Sequence, residues 1–324
     1  MGMGAVTDRS IEAPGFGRRD ERMVWRGSAR SRRVAERLSA VIVILMVAAS
    51  TAGLVVDELY PDGPWAREAL RGGDLTTLVL AAPILLGSLI LVRRGSRRAQ
   101  AVWLGALVYG VYNYAYYAFG AAFNDVFLVH VALLTLSIWA TAFAVAGIDV
   151  GIVADALNRR SGRWVGAFLA LVGSILGALW IALSIRFALT GELMADIPKR
   201  GLHLVFAIDL ALLVPALVVA GVLCWRGSTI GMVFAAVTTV MGALYQVNLL
   251  LAGVFQDGAG VRGVKAFPLE GVVLALGFGV AAGVVFRRRG RSPLMGRPAR
   301  SPGDVRQLPN PPGREHAAWG RGEE

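Results

Sequence analysis

The stretch Arg37–Val56, RLSAVIVILMVAASTAGLVV, decides how this chain is read. Beyond Arg37 it holds no charged side chain; Arg30, Arg32 and Arg33 precede it, and Asp57 and Glu58 follow it at once. A hydrocarbon layer roughly 30 Å thick needs about 20 apolar residues per helix, and this run supplies that length in one piece. A secretory signal peptide is the alternative, with Ala48, Ala49 and Ala52 as small residues near its end. The apolar run is too long and its leader too extended for that, so the segment is read as a transmembrane helix.

The same pattern recurs along the chain at 75–92, 101–123, 126–148, 165–189, 202–225, 229–255 and 268–286. With 37–56, the expected fold is an all-α membrane protein, a bundle of eight transmembrane helices over residues 37–286. Composition agrees: 56% of the residues are hydrophobic and 17% charged, against roughly 25% charged in soluble domains. Residues 1–36 and 287–324 are rich in Arg, Gly and Pro, lack apolar periodicity, and are read as disordered tails. Neither is long enough for a folded signalling domain of typical size.

The net charge of +11 raises the question of nucleic acid, but the distribution of Arg answers it. Arg30, Arg32, Arg33 and Arg37 precede the first segment; Arg93, Arg94, Arg97 and Arg98 follow the second; Arg159, Arg160 and Arg163 follow the fourth; Arg226 follows the sixth; the Arg287 cluster follows the eighth. In an eight-segment count these all fall on one side, and basic short loops are retained in the cytoplasm, so both termini are placed there. The opposite loops carry Asp57, Glu58, Asp62, Glu68 and Asp74, then Asn124 and Asp125, then Glu192 and Asp196, then Asp257. The lipid bilayer is the expected partner; nucleic acid is not.

Trp65 after Pro64 suggests a short interfacial turn, and Trp103, Trp164 and Trp225 sit where indoles favour the headgroup layer. Gly173 with Gly177 and Gly279 with Gly283 form small-xxx-small pairs that permit close helix approach. Pro83 and Pro215 remove backbone donors and are expected to kink their helices. Gly105-Ala106-Leu107 with Tyr109 and Asn113 is similar to Gly242-Ala243-Leu244 with Tyr245 and Asn248. That similarity fits either a parallel duplication of a four-helix unit or coincidence.

Polar groups inside a bilayer cost a few kcal/mol each, so their placement needs a reason. They lie toward the extracytoplasmic side. The third segment holds Tyr112, Asn113, Tyr116 and Tyr117; the fourth begins with His130; the fifth ends at Arg186. The sixth carries His203 and Asp209, the seventh Tyr245, Gln246 and Asn248, and the eighth opens with Glu270. Six consecutive helices thus place polar side chains at similar depth, which predicts an outward-facing polar cavity for a small polar solute. Two plainer readings compete: interfacial residues that meet headgroup water, and an Arg186–Asp209 ion pair that locks two helices together.

Catalytic and metal motifs are missing. His130 and His203 with Asp209 or Glu270 offer neither an HExxH pattern nor helical ligand spacing, so no metal and no cofactor is expected. There is no Walker loop and no Gly-x-Ser-x-Gly, and the single cysteine, Cys224, excludes an internal disulfide.

The stretch Tyr112-Asn113-Tyr114-Ala115-Tyr116-Tyr117-Ala118-Phe119-Gly120, followed by Phe123-Asn124, resembles a segment of uncharacterised bacterial multi-pass membrane proteins. The resemblance covers mainly the third and fourth segments. It implies a bacterial cytoplasmic (inner) membrane and brings no activity or catalytic residue with it. Three functional classes stand open. The first is a transporter or permease with an outward-facing cavity. The second is a membrane enzyme acting on a lipid-linked or extracytoplasmic substrate, less favoured for want of a catalytic motif. The third is a sensor or assembly factor.

Overall fold

In a hydrocarbon layer every backbone N–H and C=O has to be paired within the chain, and a helix does this locally. The computed structural model describes residues 28–192 and 199–287, and among them every element is helical. In order these are α1 (Ala29–Val55), α2 (Pro64–Arg93), α3 (Arg97–Gly120), α4 (Phe127–Gly147) and the short α5 (Val150–Ala156). Then come α6 (Gly162–Thr190), α7 (Gly201–Trp225), α8 (Thr229–Gly258) and α9 (Leu269–Phe286). Seven of them, all except α3 and α5, are long and apolar enough to cross a membrane. α3 has the length, 24 residues, but carries Tyr109, Tyr112, Tyr114, Tyr116 and Tyr117, which lower its hydropathy.

Two boundaries differ from the sequence reading. Ser28 accepts a hydrogen bond from the Ser31 N–H, so α1 begins at Ala29 rather than near Arg37. α2 begins at Pro64 rather than near Leu75 because proline suits the first helical turn, where its missing N–H has no partner to lose. Glu68 and Asp74, expected in a loop, therefore lie inside a helix, and both are buried. Most of the expected tails, together with Asp196, lies outside the described residues.

Polar contacts gather the helix ends into two groups. At the arginine-rich end, Arg98 Nε donates to the Ala156 carbonyl at 2.6 Å, Arg93 faces Glu36 at 3.6 Å and Arg159 donates to Thr229 at 3.0 Å. At the opposite end, the Ala122 N–H donates to Asp62 at 2.9 Å and Gln256 donates to the Trp65 carbonyl at 2.7 Å.

The chain repeats itself in space. α2 widens into a π turn at Thr77–Ala81 just before Pro83, and α7 does the same at Asp209–Leu213 just before Pro215. The expected kinks take this form because a wider turn relieves the clash of the proline ring with the carbonyl four residues back. Each helix then ends in the same Arg-Gly-Ser connection. Gly95 and Gly227 adopt φ of 85° and 76°, a left-handed conformation that glycine takes without strain. Ser96 and Ser228 cap the following helices by accepting from Ala99 and Gly231, both at 3.4 Å. The Ser28 N–H before α1 donates to the Ala146 carbonyl near the end of α4, and the Asn158 N–H before α6 donates to the Val285 carbonyl near the end of α9, both at 2.9 Å. α1–α4 and α6–α9 are thus two copies of one four-helix plan running in the same direction, with α5 between them.

α8 is the hub: 78% of its most apolar window is buried, against 17% for α6 and for α9. Glycines set the closest approaches between α6 and α7. A Cβ on Gly221 would sit 2.5 Å from the Ala170 nitrogen, one on Gly173 2.7 Å from Leu217, and one on Gly177 2.9 Å from Val214. Gly279 and Gly283, the other expected pair, meet nothing within 4 Å. Gly221→Val should therefore lower stability by about 1–3 kcal/mol, the usual cost of overpacking, while Gly279→Val should leave it unchanged. Reversible unfolding in mixed micelles reads both, and equal effects would contradict this packing.

Candidate functional site

A carboxylate at the centre of a bilayer costs roughly 2.5–3.5 kcal/mol on the insertion scale unless partners are supplied from within the protein. Two carboxylates buried within helices, Asp209 and Asp74, find donors on neighbouring faces of α3. Asp209 opens the π turn of α7 and is 3% exposed. Its Oδ1 accepts from the hydroxyls of Tyr112 and, at 3.2 Å, Tyr116; its Oδ2 accepts from Trp180 Nε1 of α6 at 2.8 Å. The two phenols lie 3.1 Å apart, and the edge of Tyr112 meets Tyr245 of α8 with centroids 4.8 Å apart. One carboxylate thus ties α7 to both α3 and α6. Helical spacing makes this possible, because residues four apart in sequence stack on one face.

The neighbouring face of α3 carries Asn113 and Tyr117. Asn248 Nδ2 of α8 donates to Asn113 Oδ1 at 3.0 Å, which leaves Asn113 Nδ2 and Asn248 Oδ1 without protein partners. The two asparagines of the repeated Gly-Ala-Leu pattern therefore meet one another. Tyr117 donates to the Leu70 carbonyl at 2.7 Å and lies 3.2 Å from Asp74 Oδ1, while Tyr60, in the α1–α2 connection, donates to Asp74 Oδ2 at 2.7 Å. Burial first, and then the adjacent Asp74, push the Tyr60 phenol well above its ordinary pKa, so it remains a donor. Gly53 makes room: a Cβ there would fall 1.9 Å from Asp74 Oδ2. His130 is fully buried against this cluster, its ring 4.7 Å from Tyr117 and 6.3 Å from Tyr60, with neither nitrogen hydrogen-bonded to protein.

A cavity of about 1550 Å³ runs from the end opposite the arginine clusters into the bundle, reaching Leu217 and Phe278. It exceeds the roughly 300–1,000 Å³ usual for small-molecule pockets. One wall is polar: Asn113, Tyr116, Tyr117 and Asp209, then Tyr245, Gln246 and Asn248. His203 and Glu270 stand at the mouth, both exposed. The facing wall is apolar and comes from α6 and α9, with Val172, Ile175, Leu176 and Leu274. Nine of the twelve residues named from sequence thus border one space. Tyr112 lies behind the wall as a ligand of Asp209, and His130 belongs to the Asp74 cluster. Arg186 is exposed and faces Glu192 at 3.5 Å, not Asp209, so the ion pair that stood as an alternative reading does not form.

Trp180, Tyr60 and Asp74 belong to the site although the sequence pattern does not single them out. A helix beginning near Leu75 leaves Asp74 in a loop, and Pro64, a helix-opening residue, is the signal that extends it. Trp180 carries no signal, because an indole within an apolar helix is ordinary until its N–H is seen to meet a carboxylate. Among the described residues, no group of three or more His, Cys, Asp or Glu side chains is placed to hold a metal ion.

Comparison with known proteins yields no family model, no curated protein and no solved structure that matches the chain. The fold itself defines the class, a helical multi-pass protein of the lipid bilayer.

Asp209→Leu should strand three donors and lower stability by about 1–3 kcal/mol for each one left buried. Asp209→Asn keeps an acceptor oxygen and should lose clearly less. Unfolding in mixed micelles compares the two, and identical losses would show that the hydrogen bonds contribute nothing.

Proposed function

We propose that this chain is an eight-span protein of a bacterial cytoplasmic membrane, with both ends in the cytoplasm. In this reading it takes up a ligand from the extracytoplasmic side as a transporter or permease. α3 is the eighth span. It runs between the same two groups of helix ends as its neighbours, and its tyrosines are shielded from lipid by α4, α7 and α8. The observation that carries the reading is the cavity, open at the end away from the arginine clusters and closed near mid-bundle by Leu217 and Phe278. A cavity closed on one side is what an alternating-access protein presents in one of its two states. The orientation rests on the arginine clusters at residues 30–37, 93–98 and 159–163, which lie at the closed end.

Cysteine accessibility tests this directly, since Cys224 is the only cysteine in the sequence. In a Cys224→Ser background, a membrane-impermeant maleimide added to intact cells should label His203→Cys and Glu270→Cys. Arg226→Cys should react only after permeabilisation. A small permeant methanethiosulfonate should reach Asn248→Cys, a half-buried position on the cavity wall, but not Leu169→Cys, which is fully buried outside the lining. Labelling of Arg226→Cys from outside would overturn the orientation, and an unreactive Asn248→Cys would remove the cavity.

A further inference from the structure

The two four-helix copies differ in one respect, and that difference bears on the ligand. In the first copy the outer helices close on each other: a Cβ on Gly147 of α4 would lie 2.7 Å from the Arg32 nitrogen of α1, and Ala140 and Ala144 are fully buried. In the second copy the corresponding helices, α6 and α9, meet where the rings of Phe168 and Phe278 cross at a centroid distance of 5.1 Å. From there toward the cavity mouth they diverge, and Val172, Ile175, Leu176 and Leu179 on one side face Gly271 and Leu274 on the other across the cavity. Ile175 is 60% exposed although it lines the cavity. Leu249, on the otherwise buried hub helix, is 45% exposed and lines it too. The cavity therefore opens sideways as well as at its mouth, and the apolar surface of the gap continues into the outward-facing Leu171, Val273 and Leu276.

An apolar slot at hydrocarbon depth is filled by hydrocarbon chains, because water gains no hydrogen bonds from such walls. The opposite wall asks for a different chemistry. Asp209, Gln246 and Asn248 lie on it beside Asn113, and the facing amides of Asn113 and Asn248 keep one donor, Asn113 Nδ2, and one acceptor, Asn248 Oδ1, without protein partners, a pair that suits a hydroxyl, which both donates and accepts. The charged groups on the lining are Asp62, Asp209 and Glu270; among the described residues no Lys or Arg borders the cavity. An anionic phosphate head would meet carboxylates and find no guanidinium or ammonium to pair with.

We propose that the cavity takes a long-chain amphiphile laterally from the bilayer, with its chain between α6 and α9 and an uncharged, hydroxyl-bearing head against Asp209 and Asn248. This rests on the cavity reading above and names the class of ligand. It sets aside the small polar solute, which would leave the α6–α9 wall in contact with water.

The experiment uses the full chain in phosphatidylcholine nanodiscs doped with a diacylglycerol whose acyl chain carries a diazirine, or with the same-chain phosphatidic acid. After irradiation, peptide mapping should place diacylglycerol adducts on Val172, Leu176, Leu217 or Leu274. Phosphatidic acid should give several-fold fewer adducts there, while both label the lipid-facing Ile44 and Leu86 equally. Leu176→Trp, which fills the slot, should cut the internal diacylglycerol adducts several-fold without changing those at Ile44. Adducts confined to the outer surface would overturn the lateral entry of a chain. Equal internal labelling by phosphatidic acid would overturn the assignment of an uncharged head. If Asn248→Cys reacts with the thiol reagent while no internal adduct forms, the cavity stands and the amphiphile falls; if neither occurs, both fall.

Discussion

A carboxylate inside a bilayer has to be given its hydrogen bonds by the protein, and the rest of this architecture is organised around that requirement. Asp74 and Asp209 lie in the two helices that carry a π turn; Tyr117 of α3 meets the first, and Tyr112 and Tyr116 of α3 meet the second. Since α3 is the helix too polar to count among the apolar seven, its composition and its position explain one another. A tyrosine-rich helix is costly against lipid and useful between buried acceptors, so it sits inside, against α8, α4 and α2. Trp180 extends the arrangement to α6. Asp209 is thus a polar point that α3, α6 and α7 share.

Repetition of local features, with one difference, describes the overall form. The π turn before a proline, the Arg-Gly-Ser connection and the contact between the start of the first helix and the end of the fourth recur in both halves. One half is packed shut around Asp74, Tyr60 and His130, and the other is open between α6 and α9. Small residues decide where helices approach: glycines face one another across α6 and α7, while Gly279 and Gly283 of α9 face open space. An open half beside a closed half provides a cavity without breaking the bundle.

Much of this was legible in the chain. Long apolar runs identify the membrane class, and the loop residues Arg93, Arg98 and Arg159 meet their partners at one set of helix ends. Counting polar residues toward one side brought nine of the twelve named positions to one cavity. What escaped depended on partners distant in sequence. Periodicity places Tyr112 and Tyr116 on one face but cannot say that the acceptor is Asp209, nor that Trp180 supplies a third donor. Arg186 and Asp209 have opposite charges and adjacent helices, yet Arg186 lies beyond reach at the helix end and turns to Glu192. The apolar character of the α6–α9 wall was hidden too, because a side chain facing lipid and one facing a lipid-filled slot have the same sequence signature.

The central claim is that α3 and α7 are joined energetically through Asp209, and a double-mutant cycle measures that junction. Asp209→Asn, the paired Tyr112→Phe and Tyr116→Phe change, and their combination are compared by unfolding in mixed micelles. The account predicts a coupling on the order of 0.6–1.7 kcal/mol, the range found for hydrogen bonds between membrane helices. Strict additivity of the two changes would contradict it.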